Sequence, residues 1–217
     1  DGSLTTVLSH TFSQNYAVNN LSMRSIGQDS IQFAFSSENV AGSPKNVILL
    51  DLIGADPSTA NFENEQVLTN TGALNQLITD VEWSVGGSNL YYSRNNLSTN
   101  EGNIFQFNPD SLTTQNILNR NINEALALQN GPDGKLYFLY NNGAESFLSN
   151  IQFADSIPDS LNVQWNLFNA TSFGNARNLP FSSPPQLIDA PVSFDWYDTQ
   201  LNATICQNNP ISFFASY

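Results

Sequence analysis

Apolar residues along this chain fall in short runs rich in Val, Ile, Phe and Tyr, bounded by Asn, Gly, Asp and Ser. No long stretch carries the i, i+3, i+4, i+7 stripe of an amphipathic helix, so the pattern predicts many short strands and an all-β fold. The runs pair into hairpins. Ser22–Ile26 and Ile31–Phe35 flank Gly27-Gln28-Asp29-Ser30. Asp80–Val85 and Leu90–Ser93 flank Gly86-Gly87-Ser88-Asn89, and Ala125–Gln129 and Leu136–Tyr140 flank Gly131-Pro132-Asp133-Gly134. Each turn contains glycine, which reaches the positive φ of tight hairpin turns without steric cost.

A third strand follows each hairpin after a polar loop, at Val47–Leu52, Ile104–Phe107 and Leu148–Phe153. A fourth follows that, at Gln66–Thr69, Thr114–Leu118 and Val163–Phe168. Three four-stranded units whose starts lie about 45 to 60 residues apart predict β-propeller blades. A blade packs between two neighbours, so its inner strands read as continuous apolar runs rather than as alternation. Val47–Leu50 and Leu136–Tyr140 read that way, whereas Thr113–Leu118 is polar, as suits a rim strand.

Asp1-Gly2-Ser3-Leu4-Thr5-Thr6 echoes Pro109-Asp110-Ser111-Leu112-Thr113-Thr114, which leads into an outer strand. Residues 1–20 are therefore expected to be the last strand of a preceding blade and its connection. Residues 21–180 would hold three blades, and residues 181–200, with Pro184, Pro185 and Pro191, a Pro-rich exit. Residues 201–217 look like the first strands of a new module, Asn202–Cys206 and Ile211–Ala215. Three blades and a strand are too few for the usual ring, so the chain is expected to need further blades, of the same protein or of another chain. The rival reading is a closed four-bladed ring, with residues 1–20 and 186–198 sharing the fourth blade.

Composition narrows the functional classes. The chain has 217 residues, 31 of them Asn and 25 Ser, with only 6 Lys+Arg against 19 Asp+Glu and a net charge of −13. A nucleic-acid ligand is excluded, because no basic stripe is present to displace counterions from phosphates. No apolar run approaches the roughly 18 residues of a membrane span. The single cysteine, Cys206, excludes an internal disulfide framework and a Cys-rich zinc site.

The ordered motifs resemble a known family. Glu124–Tyr137, which contains Ala125-Leu126-Ala127-Leu128-Gln129-Asn130-Gly131-Pro132-Asp133-Gly134-Lys135, is similar to the blade motif of large surface proteins of the Bacteroidota. These are gliding-motility-associated proteins exported by the type IX secretion system. Ile78–Ser93 and Ile104–Asn108 resemble the preceding blade of such proteins, with Val85-Gly86-Gly87 standing where Pro-Asp-Gly is usual. Gly174–Phe181 is similar to the stretch that closes their propeller region, and Cys206 with Ile211–Phe214 to the start of the PKD or immunoglobulin-like module that follows it. The resemblance implies an extracellular, outer-membrane-associated location and partners in the secretion or surface machinery.

Chemistry-bearing residues are few. His10 is the sole histidine, and Asp80, Glu82 and Glu124 recur where blades begin. Their expected role is to accept backbone N–H bonds in turns rather than to act as a catalytic pair. Asp133 is expected to be a turn residue. Trp83, Trp165 and Trp196 with Tyr91, Tyr92 and Tyr140 are candidates for sugar stacking, with core packing as the expected role. Four Asp-Ser-aliphatic triplets place Ser30, Ser111, Ser156 and Ser160 at turn-to-strand junctions. The family resemblance implies that these serines accept O-glycans. The expected function is a non-enzymatic scaffold for adhesion or assembly, without cofactor or metal. The alternatives are a carbohydrate-binding propeller and, behind it, a propeller lyase or glycosidase fragment.

Overall fold

The computed structural model describes residues 7–13, 16–39, 46–54, 59–70, 76–118, 120–171 and 212–214. A short strand, β1 (Val7–Ser9), precedes three four-stranded units. The first comprises β2 (Tyr16–Gly27), β3 (Ser30–Asn39), β4 (Asn46–Ile53) and β5 (Asn61–Asn70). The second comprises β6 (Gln76–Trp83), β7 (Leu90–Asn96), β8 (Glu101–Asn108) and β9 (Thr113–Asn116). The third comprises β10 (Glu124–Asn130), β11 (Leu136–Asn141), β12 (Ser146–Gln152) and β13 (Asn162–Asn169), with one 3-10 turn, Pro158–Ser160, before its last strand. A final strand, β14, spans Ser212–Phe214. Within each unit the strands pair antiparallel in sequence order, each with its successor. This is an all-β protein with three propeller blades.

The continuous apolar runs are explained by burial on both faces. In β4, Val47 and Leu49 pack with Ile78, Val81, Trp83, Leu90 and Tyr92 of the second blade. The intervening Ile48, Leu50 and Leu52 pack in a separate cluster on the other side of the first blade, with Phe33 and Phe35. The same division recurs in β7: Leu90 and Tyr92 face the first blade, and Tyr91 packs with Leu128, Phe138 and Tyr140 of the third. Strand alternation is intact, but both of its faces are apolar because both are covered. β9 is exposed at every position, as its polar sequence predicts.

Two boundaries differ from the expected ones. The first inner strand starts at Tyr16, which pairs with Asn39, so it takes in residues assigned from the sequence to a connection. A bulge between Val18 and Asn20 lets the strand run on past the hairpin core. The strand expected near Ile211–Ala215 is present as β14, but its partner is β1: Val7, Leu8 and Ser9 pair with Phe214, Phe213 and Ser212. Leu8 and Phe12 pack onto the apolar cluster of the first blade that faces away from the second. The Pro-rich segment and the rest of the proposed module, Cys206 included, lie outside the described residues.

Candidate functional site

The inner strands meet at the blade seams, β2 against β6 and β6 against β10. Asp80 and Glu82 are two residues apart on β6, so period-2 geometry points both side chains the same way. They reach across to β10. Asp80 accepts the Leu128 N–H through Oδ2 at 2.7 Å and the Val81 N–H through Oδ1 at 2.8 Å. Glu82 Oε1 accepts the Asn130 backbone N–H at 3.3 Å and its side-chain amide at 2.9 Å, and the Ser22 hydroxyl of the first blade also bonds Glu82. Burial pushes Asp80 up to about 8, with the neighbouring Glu82 charge adding to it and the Leu128 N–H opposing it. Burial likewise pushes Glu82 up to about 7. Each group thus commits one oxygen to the next blade, Asp80 Oδ2 to Leu128 and Glu82 Oε1 to Asn130, and bridges the seam. Glu124, at the opposite end of β10 from Asn130, is not brought to this pair by the hydrogen bonding.

A second seam lies at the hairpin turns. The turn Ser84–Asn89 of the second blade is gripped from both sides. From the third blade, Asp155 accepts the Ser84 hydroxyl at 2.6 Å and the N–H groups of Gly86 and Ser88 at 3.0 and 3.3 Å. From the first blade, Arg24 donates to the Gly87 carbonyl at 2.7 Å and lies 4.1 Å above the Trp83 ring. A Cβ at Gly86 would stand 2.8 Å from the Asp155 carboxylate, and Gly87 has a φ of 72°. These contacts give the physical reason for glycine at positions 86 and 87. The paired glycines were the sequence signal pointing to Arg24 and Asp155, neither of which the sequence reading singled out as a clamp.

The other candidates are dispersed. Asp133 organises its own turn, accepting from Lys135 Nζ at 2.6 Å and from the Tyr137 hydroxyl at 3.1 Å. His10 Nε2 lies 3.1 Å from Glu65 Oε2, with the Ser13 N–H on the same carboxylate. Trp83, Tyr91, Tyr92 and Tyr140 are buried. Trp165 is half-buried, meets Phe138 and Tyr140 edge-on and lies under the Arg120 guanidinium at 5.1 Å. Trp196 lies outside the described residues. Ser111 and Ser160 are exposed, the former bonded to Asn108 and Thr113, whereas Ser30 and Ser156 are half-buried. Among the described residues no group of three His, Cys, Asp or Glu could hold a metal ion, and no helix is long and apolar enough to cross a membrane.

No protein-family model and no curated protein matches the chain. Similar solved structures include the β-propeller domain of the Trilobed protease from Pyrococcus furiosus, described as having an open velcro topology. That likeness is at 13% identity with a TM-score of 0.37, covering 64% of this chain and 40% of that one. Dipeptidyl peptidase 4 of Porphyromonas gingivalis is similar at 14% identity and a TM-score of 0.41, over 72% of this chain and 26% of that one. A nidogen/laminin complex is similar at 9% identity and a TM-score of 0.36, over 69% of this chain and 65% of that one. The chain spans less than half the length of the first two of these structures. The β-propeller class is defined by the chain's own three four-stranded antiparallel sheets.

Proposed function

We propose that the chain is a non-enzymatic, extracellular propeller segment of a Bacteroidota cell-surface protein, a scaffold for adhesion or assembly linked to gliding or type IX secretion. The observation that carries the non-enzymatic part is the employment of the acidic groups. Asp80 and Glu82 each accept N–H bonds from the adjacent blade, whereas their raised proton affinity is the feature that favours the lyase or glycosidase alternative. A general acid needs its carboxyl facing substrate, within hydrogen-bond reach of the proton it transfers. The surface location, the secretion route and completion of the ring by further blades rest on the sequence motifs. The carbohydrate-binding alternative has less support, since four of the candidate platform aromatics are core residues.

The test is a screen with chromogenic glycoside, peptide and phosphoester substrates. No turnover is expected. Turnover lost on Asp80→Asn, in protein that remains folded, would overturn the scaffold reading.

The same proposal includes O-glycosylation, with Ser111 and Ser160 as the preferred acceptors because both lie in exposed connections. Intact-mass measurement of natively secreted protein is expected to exceed the polypeptide mass by whole glycan units. A mass equal to the bare polypeptide removes the idea.

A further inference from the structure

Antiparallel strands in each blade bring two sets of connections to one end of the propeller: the turns between first and second strands, and the links between third and fourth. Among the described residues, five exposed large apolar side chains lie there. Ile26 and Val85 flank first-to-second turns, while Leu112, Phe153 and Ile157 lie in third-to-fourth links. Single exposed apolar residues are ordinary. These five are joined through the turn contacts already described. Asp155 stands between Phe153 and Ile157 and holds the turn that carries Val85. Arg24, two residues before Ile26, holds the same turn and feels the charge of Asp110, two residues before Leu112.

The backbone adds an independent observation. Leu112 and Phe153 have φ of 54° and 60°, in the left-handed region that costs residues with a Cβ. The nearby Gly87 and Gly134 satisfy the same requirement with glycine, at 72° and 75°. Leu112 and Phe153 instead present large side chains that are 69% and 65% exposed. Folding gains nothing from a large exposed side chain at such a position; a binding surface does, because apolar area removed from water on docking favours association.

Charge selects the occupant. Asp29, Asp110, Asp155 and Asp159 are exposed among these connections. Arg24 is half-buried over Trp83, and Lys135 is paired with Asp133 at 2.6 Å. With a net charge of −13, a second copy of the chain is repelled.

We propose that this end of the propeller docks a cationic protein segment carrying apolar side chains, with Phe153 and Ile157 as the central anchors and the aspartates as the charged rim. This rests on the scaffold reading and names the surface that the scaffold uses.

The test uses two synthetic dodecapeptides of equal positive charge, one with Leu between its Lys residues and one with Ser in place of Leu. The Leu peptide is expected to bind the full chain at least tenfold more tightly than the Ser peptide. Phe153→Ser combined with Ile157→Ser should erase that difference, and Leu97→Ser, at the opposite end, should leave it. Phe153→Gly should weaken binding of the Leu peptide while melting no lower than the wild type, since glycine relieves the left-handed backbone. Equal binding of the two peptides, a difference that survives the double variant, or a lowered melting temperature for Phe153→Gly would each overturn the proposal. Turnover in the substrate screen would instead overturn the scaffold reading, and the peptide comparison would still report on the surface.

Discussion

Gly102→Ala is expected to destabilise the protein by about 3 kcal/mol, near the upper end for overpacking a buried site. At this chain length that lowers the melting temperature by about 10 °C. Gly102 lies in β8 and is buried against the start of β10, donating its N–H to the Ile122 carbonyl at 2.8 Å. An added Cβ would stand 2.6 Å from the Ala125 nitrogen and 2.8 Å from the Glu124 carbonyl carbon. Both are backbone atoms, so no side chain can swing aside. The backbone there is pinned as well, because Asn95 accepts the Ala125 N–H at 2.8 Å and donates to the Ala125 carbonyl at 2.7 Å. The second and third blades would have to separate. Gly134→Ala is the control: its Cβ meets nothing within 4 Å, and only the φ of 75° is penalised, a cost of about 1 kcal/mol. Urea midpoints for the two variants measure the difference, and equal losses would count against a seam this rigid.

Stability is expected to fall as pH rises from mildly acid to mildly alkaline, and the Asp80–Glu82 pair is the cause. In the unfolded chain these groups release protons near their ordinary values of 3.8 and 4.5. In the fold, burial raises them to about 8 and about 7. The folded state therefore binds more protons through that interval, and linkage makes it less stable as pH climbs. The contribution is complete below the unfolded values and gone above about 8. Glu65 acts in the opposite sense at the acid end. Burial would raise it, but the Ser13 hydroxyl and N–H and the His10 imidazole together lower it, so its stabilisation is lost as pH falls through its folded value. Maximum stability is thus expected in mildly acid buffer. Asp80→Asn with Glu82→Gln keeps an acceptor oxygen for Leu128 and Asn130 while removing the buried charge. The double variant should be more stable than the wild type near pH 8.5 by about 2 kcal/mol, less than the full shifts imply because both residues are half-buried by accessible surface. Parallel pH profiles for the two proteins would sink this account.

Much of the blade architecture was legible beforehand because it is local. Hairpin turns are set by glycine and Asx chemistry within a few residues, as at Gly131–Lys135, where Asp133 ties the turn to Lys135 and Tyr137. The run Val47–Leu50 reported burial on two faces before any partner was known. The seams were not legible. Asp80 and Glu82 read as turn acceptors, and the structure makes them acceptors across a blade boundary, toward residues 48 positions away. Asp155, seen only as part of an Asp-Ser-aliphatic triplet, grips a turn 69 residues earlier at Gly86. Strand periodicity says which face a residue occupies but not which element covers that face.

The sequence by itself determined the all-β class, the hairpins, the four-strand unit and its threefold recurrence, since each follows from alternation, apolar run length and turn residues within one unit. The tertiary structure decided which carboxylates are proton-loving, why Gly86 and Gly102 lack a side chain, and that β14 pairs with β1 in a two-stranded sheet of their own. Those properties depend on distances between segments far apart in the chain. Such distances are fixed only when blades pack face to face and their polar groups find partners across the seam.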